Sequence, residues 1–436
     1  MDGADKPTWT YSRRVPQWAA PPDLHCRGGG ERSGGRHALR VISLIALVLL
    51  CAFAAVAVAA PRIGVATMQP GEIFFERFGH NAIVVDDPAF DEPISYNFGY
   101  FDMDEPGFTR NFIRGHMEYM LVALPLSQDL AYYQKVGRGV SIQWLDLEPE
   151  QARGLAAALA ENARPENARY RYDYFLDNCS TRVRDAVDDA LGGALATQLQ
   201  GRSRGNTYRA DAVRLASPEW WMWLGFDIGL GPAADRPNSR WQEAFVPMRL
   251  AEGLRDARLP DGRPLVAEEV EVLPHMLPPQ PAEAPRRWWP WLLAGLAVGA
   301  VVMWAGASRP KLLAGVALPF WLLCGVGGLL IAFIWFGTAH TFGWNNHNIL
   351  LLSPLCLLAL PGGWRIARGR APGRLFGWVL ALVAAGAAVA LFWNWMPVLP
   401  QRNMPWICLL LPIHAALWLA LGRAPTGRPS GAGSGR

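Results

Sequence analysis

The residues best suited to chemistry lie in "YRYDYFLDNCSTRVRDAV", residues 170–187, which holds one cysteine, Cys179, between Asn178 and Ser180. Cys51, Cys324, Cys356 and Cys408 fall in long apolar runs and Cys26 precedes the first of them, so Cys179 has no visible partner in the polar part of the chain. An unpaired thiol in an exported domain calls for a reason other than a disulfide. After it, Val183, Val187, Ala190 and Leu191 recur at helical spacing and Gly192-Gly193 ends the pattern, which puts the thiol close to a helix start. A helix N-terminus favours the thiolate and offers N–H groups to an oxyanion. The competing reading is an inert core thiol, since free cysteine is among the most buried residue types.

A nucleophile needs a base. Between the first apolar run and the linker at 277–285 the histidines are His80, His116 and His275. His80 heads the strand-like "HNAIVV" after a glycine and is the expected base, with His116, in "IRGHMEYM", in reserve. A third group should orient the imidazole. Asn97, on the following strand, is the choice, with Asp86 and Asp102 as alternatives.

Around the thiol, Asn178 is expected to polarise an oxyanion, and Ser180 or Thr181 to cap the helix. Arg182 and Arg184 are expected to meet a lipid phosphate or to pair with Asp185 and Asp188, a solvated helix face suiting Arg184 better than Arg182. Tyr172 and Tyr174 alternate, so they should share a strand face as core or substrate-lining residues. A second polar stretch, "TAHTFGWNNHN" at 338–348, carries His340, Asn345, Asn346, His347 and Asn348 between two apolar runs. Polar groups at membrane depth are costly and often functional. The seven-residue spacing of His340 and His347, with no carboxylate or thiol nearby, argues against a metal, and no cofactor is expected. A loop that meets the exported domain at the membrane surface is the expectation.

The elements that must position these groups can be read around them. "HNAIVV" and "ISYNFGYF" are strand-like with a turn between, and "GVSIQWLDL" is a third strand. Residues 148–163 read as a helix with proline in its first turn. "LPPQPAEAP", 277–285, reads as a linker. Residues 1–40, rich in Gly and Arg, are expected to be disordered, and 41–60 to be a transmembrane helix or signal anchor, or a cleaved signal peptide. Five spans are expected after 288, at about 289–307, 312–337, 349–364, 375–396 and 406–422, followed by a disordered tail from 423. Arg309 and Lys311, then Arg365, Arg368, Arg370 and Arg374, then Arg423 and Arg428 make alternate loops basic. By the positive-inside rule, domain 61–287 is therefore exported and loop 338–348 lies on its side of the membrane. The composition agrees: of 436 residues 51% are hydrophobic and only 18% charged, with 20 tryptophans. A net charge of +4 without a basic, aromatic-interleaved groove excludes a nucleic-acid binder.

"RFGHNAIVV", "YNFGYFD" and "YFLDNCSTRVRD", with "AHTFGWNNHN" further on, resemble the Lnb-type lipoprotein N-acyltransferase family, over about 65–290 for the exported domain and more loosely 290–420 for the spans. The order His, polar residue, Asn-Cys is also similar to circularly permuted papain-like enzymes such as lecithin-retinol acyltransferase. The resemblance implies an α+β, circularly permuted papain-like (NlpC-type) exported domain joined to an all-α membrane bundle in the inner membrane. It implies a bacterial lipoprotein or phospholipid as substrate, membrane lipids as surroundings, and Tyr174, His340 and Asn345 towards the substrate. Cys179 would take an acyl chain as a thioester and pass it to the α-amine of a lipoprotein, with His80 moving the protons. A cysteine hydrolase of the same frame is the alternative, with water as acceptor. A non-enzymatic envelope protein is a third reading, in which Cys179 is buried and inert.

Overall fold

In the computed structural model, residues 59–423 are described. The expectations for 1–40, for nearly all of 41–60 and for the tail after 423 lie outside them.

Seven antiparallel strands form the sheet of the soluble domain: β1 (Arg62–Met68), β2 (His80–Asp86), β3 (Ile94–Tyr100), β4 (Glu118–Pro125), β5 (Val140–Leu145), β6 (Arg169–Arg171) and β7 (Val266–Leu273). Their spatial order is β6-β4-β3-β2-β1-β5-β7. Nine helices accompany them: α1 (Phe108–Arg114), α2 (Leu126–Lys135), α3 (Pro149–Asn162), α4 (Cys179–Ala190), α5 (Ala194–Gln200), α6 (Tyr208–Ala216), α7 (Trp220–Gly229), the single turn α8 (Arg240–Glu243) and α9 (Pro247–Asp256).

Alternation along the strands divides two apolar layers. Ala66, Ala82 and Val84 face α2, packing with Tyr133, Leu126 and Leu130. Val65, Ile83, Val85, Tyr96 and Phe98 face the other way and pack with Leu155 and Leu159 of α3, Val183 and Val187 of α4 and Leu250 and Leu254 of α9. The period of two that decides which residues are core also aims His80 to the α2 side of the sheet with Ala82 and Val84. The register Val84 opposite Ser95 places Ser95 and Asn97 on that same side.

Two expectations for this domain are corrected. The strand at 169 ends at Arg171, so Tyr172 and Tyr174 stand in the turn that leads to α4, their rings edge-to-face at 5.9 Å. The segment 277–285 is not a free linker. Arg214 donates to the Gln280 side chain and the Pro281 carbonyl, and Arg249 pairs with Glu283, so this stretch is strapped to α6 and α9.

The second region holds α10 (Trp289–Ser308), α11 (Pro310–Gly337), α12 (Cys356–Ala367), α13 (Leu375–Asn394) and α14 (Met404–Leu417, continued by a π turn to Gly422). Four of these, counting α14 with its continuation, are long and apolar enough to cross a membrane. The third expected span is corrected. Residues 349–364 are not one helix, because Pro354 halts helix formation at the preceding serine and α12 begins only at Cys356 with 12 residues. The chain ahead of it, from His347 through Leu350, is a 3₁₀ turn and then irregular. Such backbone survives at membrane depth only where protein satisfies it. Leu351 is fully buried and its carbonyl accepts from His414 Nε2 at 2.9 Å. Gly328 of α11 lets the Leu352 carbonyl approach so closely that a Cβ there would lie 2.0 Å from the oxygen.

The two regions interlock through polar groups. Asn346 Nδ2 donates to the carbonyls of Ile228 and Gly229 at the end of α7, and Asn348 Nδ2 donates to Ile228. Gln401 donates to Asn346 and Asn403 to Asn348. Arg209, 1% exposed, forks onto Asp235 and donates to the Asp227 and Leu230 carbonyls. Asp227 in turn accepts from Arg286 and from the Trp406 indole. Each buried charge is therefore paired and hydrogen-bonded, the condition under which such groups are tolerated.

Candidate active site

Cys179 is the first residue of α4. Asn178 is its N-cap, in an extended conformation, with Oδ1 accepting from the Thr181 N–H at 2.9 Å while Thr181 Oγ1 accepts from the Asn178 N–H at 2.7 Å. This reciprocal box fixes the helix start. It also commits Asn178, whose Nδ2 donates to the carbonyls of Tyr174 and Phe245, both at 2.9 Å. The side chain expected to polarise an oxyanion is thus fully used as a cap and an anchor. Ser180, buried, donates to the Ala244 carbonyl at 2.6 Å and ties the same turn to the end of α8. The N–H groups of the first residues of a helix have no intrahelical partner, and the backbone N–H groups of Ser180 and Asn81 favour the charged form of Cys179.

His80 faces the thiol. Gly79 makes this possible: at φ +78° it turns the chain into β2, and a Cβ would meet the Met68 carbonyl at 2.8 Å. His80 Nε2 lies 3.0 Å from Asn97 Oδ1. Asn97 Nδ2 donates to Asp129 Oδ2 at 2.9 Å and to Ser95 Oγ at 3.1 Å. Ser95 Oγ donates to Asp129 at 2.7 Å. Because the Asn97 amide nitrogen is spent on these acceptors, its oxygen faces the imidazole and can only accept. His80 therefore carries a proton on Nε2, which leaves Nδ1 for the thiol. Of the alternatives, Asp86 ends β2 at the opposite end from His80 and Asp102 sits exposed in a turn. His116, the reserve base, is exposed and stands near His340.

The electrostatics follow from this geometry. Burial alone would raise the Cys179 pKa; the facing His80 charge and hydrogen bond, with the Asn81 and Ser180 N–H groups, lower it instead. Burial would likewise lower the His80 pKa, but the Cys179 charge and hydrogen bond, then Asp129 and Asn97, raise it. Both shifts run in the direction that favours a thiolate facing an imidazolium.

Gly99, at φ +93°, occupies the β3 bulge beside the thiol. A Cβ there would lie 3.5 Å from Cys179 Cβ, 3.7 Å from Tyr172 and 3.8 Å from the Tyr170 hydroxyl. That hydroxyl is buried and has no hydrogen-bond partner among the described residues. The Arg182 guanidinium stacks over the Tyr170 ring at 4.1 Å and pairs with Asp177 through Nη2 at 2.8 Å. Arg182 is thus neutralised by Asp177, not by the aspartates expected. Arg184, expected on a solvated face, is buried: it pairs with Asp185, donates to the Trp241 carbonyl and lies 3.9 Å over the Trp241 ring.

Tyr174 stacks on His340 at 6.0 Å, and His340 Nε2 donates to the Phe112 carbonyl. These two join the membrane region to the turn that carries the thiol. Asn345 is exposed at φ +54° and serves the turn, a conformation asparagine adopts more readily than most residues. The His/Cys/Asp/Glu side chains among the described residues form no group fit for a metal. Asp129, Ser95 and Tyr170 did not emerge from the sequence. The available signal for Asp129 was a lone acid in the first turn of a helix of mixed character, packed near a strand carrying two polar residues two apart.

Residues 53–217 match the family described as Lnb N-terminal periplasmic domain, and residues 287–423 match the Lnb transmembrane domain. The chain belongs to the Lnb family. It is accordingly a membrane-anchored protein with a periplasmic domain, and Lnb membership implies an enzyme of lipoprotein processing. No curated protein and no solved structure matches it.

Proposed function

We propose that the protein is a thiol acyltransferase of the inner membrane that moves an acyl chain through a Cys179 thioester to the N-terminal amine of a lipoprotein. The observation that carries this reading is that Cys179, at the start of α4, interacts with His80, whose imidazole is held through Asn97 to Asp129, on a domain locked to the membrane helices. The chain order His80, Asn97, Cys179, with the histidine on a strand and the cysteine at a helix start, supports a permuted papain-like frame.

The Cys179 thiolate attacks the carbonyl carbon of an acyl ester on a diacylglyceryl group. The oxyanion meets the Cys179 N–H and the unpartnered Tyr170 hydroxyl. On collapse the ester C–O bond breaks, the alkoxide takes the His80 proton and the thioester remains. The lipoprotein α-amine then attacks the thioester, His80 accepts its proton, the C–S bond breaks, and amide and thiolate result. Splitting the transfer into two steps lets one residue activate both nucleophiles. Anchoring in the bilayer raises the effective concentration of a lipid-bound substrate.

Expression in a bacterial strain lacking its own lipoprotein N-acylation tests this, with lipoprotein N-termini read by mass spectrometry. An acylated α-amine that vanishes with Cys179→Ala and with His80→Ala is expected. Free N-termini with released fatty acid identify a hydrolase instead. Unmodified lipoproteins and a native Cys179 that resists alkylation sink both.

A further inference from the structure

The segment ahead of Gly79 and the first turn of α7 leave large apolar side chains exposed among the described residues. Ile73, Phe74 and Phe75 form a 3₁₀ lip, and Trp220 and Trp221 begin α7, with Trp220 73% exposed. The two pieces are one structure. Phe74 stacks on Trp221 at 5.9 Å, Phe78 meets Phe226 at 5.5 Å, and Arg77 pairs with Glu219 at 2.9 Å.

This patch is continuous with the membrane-spanning region. Trp223, one turn along α7, stacks on Trp291 at 6.3 Å and lies 6.1 Å from Trp406, in the first turns of α10 and α14. Half-exposed Trp288 and Trp289 stand at the same end of α10. Tryptophan at the ends of spans marks the membrane–water interface, so α7 lies at that level. Inward from the lip, aromatic rings succeed one another to the thiol. Phe75 meets Phe101 at 5.3 Å, Phe101 stacks on Tyr119 at 4.8 Å, Tyr119 lies 4.4 Å from Tyr172, and Tyr172 borders the Gly99 gap beside Cys179.

We propose that Ile73, Phe74, Phe75, Trp220 and Trp221 dip into the periplasmic leaflet and that the ring row from Phe75 to Tyr172 leads an acyl chain of a membrane diacyl lipid sideways from the bilayer to Cys179. A planar ring row suits a flexible chain, since it offers apolar contact without a fixed register. The identity of the reacting chain rests on the acyl-transfer reading; the lip itself does not.

The test uses the whole protein in nanodiscs of phosphatidylethanolamine and phosphatidylglycerol containing phosphatidylethanolamine with a diazirine on its acyl chain. After irradiation, adducts on Phe74, Phe75, Trp220 or Trp221 are expected. Phe90, equally exposed at the far end of β2, should carry none. Phe74→Ser with Trp221→Ser should lose the adducts at those two positions and raise KM for vesicle-borne lipid at least tenfold, since one ring contact alone is worth about that factor. Unaltered alkylation of Cys179 by iodoacetamide shows that the double variant keeps its site. Adducts absent, or as frequent at Phe90 as at the lip, overturn the proposal. Crosslinks from the lip to a lipoprotein's polypeptide in place of lipid overturn it too, in favour of a peptide-docking surface. Lipid adducts on the lip with no N-acylation by the wild-type protein support the lip and remove the transferase reading alone.

Discussion

Asp129 Oδ2 accepts from Asn97 Nδ2 at 2.9 Å, and so decides what Asn97 presents to His80. Without that acceptor the amide is free to turn its nitrogen towards the imidazole. Asp129→Ala is expected to lower kcat by about ten- to a hundredfold, the scale of one hydrogen bond to a charged group. KM should change little, because Asp129 lies behind the reacting groups. Asp129→Glu with restored activity would support a positioning role. A fall in thermal stability with unchanged kcat would make Asp129 a purely structural group.

The paired shifts of Cys179 and His80 set the pH behaviour. A lowered thiol pKa keeps Cys179 ionised below the range of an ordinary cysteine, and a raised imidazole pKa keeps His80 protonated above that of an ordinary histidine. Both shifts favour the thiolate–imidazolium form. Activity is lost at acid pH when the thiolate gains a proton and at alkaline pH when the imidazolium loses one. Iodoacetamide alkylation should persist well below the ordinary thiol range, and His80→Ala should move its midpoint upward and slow it at pH 7 by about tenfold or more. An unmoved midpoint would mean that His80 does not hold the thiolate.

How far the sequence carries can be judged residue by residue. Cys179 and the start of α4 were legible because the helical apolar spacing and Gly192-Gly193 are local signals, but the cap, expected at Ser180 or Thr181, is Asn178. His80 was legible because a glycine and a strand enclose it. Asp129 was not, since its partner is 32 residues away and an acid in a helix's first turn already has a local explanation in the helix dipole. Arg184 misled for a similar reason. Charge suggests solvent, but Trp241, brought in by a distant turn, covers it. The third apolar run was read by hydropathy alone, which does not register that Pro354 restricts Ser353 or that Gln401 and Asn403 hold Asn346, His347 and Asn348 just ahead of the run. The sheet itself was legible only at β2, β3 and β5. β4 and β7 carry charge or mixed pattern, with β7 largely exposed.

Tyr170→Phe isolates the hydroxyl without disturbing the ring that Arg182 stacks on. Because that hydroxyl has no partner to lose among the described residues, stability should hold. The expected loss is in kcat, about a hundred- to a thousandfold for one oxyanion donor, with alkylation of Cys179 unaffected. Equal losses in alkylation and turnover would show that Tyr170 shapes the thiol instead.

Gly99→Ala addresses the gap between the rings and the thiol. The positive φ makes any side chain cost about 1–2 kcal/mol. The added methyl group also takes the space between Cys179, Tyr172 and Tyr170. A modest drop in melting temperature with a disproportionate loss of turnover is expected. If turnover falls only as far as folded protein is lost, the gap is not used by substrate.

Asn346 joins the two regions and supplies the last test. It is fully buried, and it holds the carbonyls of Ile228 and Gly229 as well as the Gln401 amide. Asn346→Ala leaves these groups unsatisfied and should destabilise the junction by about 3 kcal/mol. The cost falls on α7, whose end those carbonyls form, so the lip at its other end loses its footing on the membrane helices. Transfer from bilayer lipid should therefore fall more than the rate at which Cys179 is alkylated, and protease should cut first near residues 230–237. Equal decline of both readouts would mean that the junction supports the fold as a whole and does not specifically hold the thiol to the membrane.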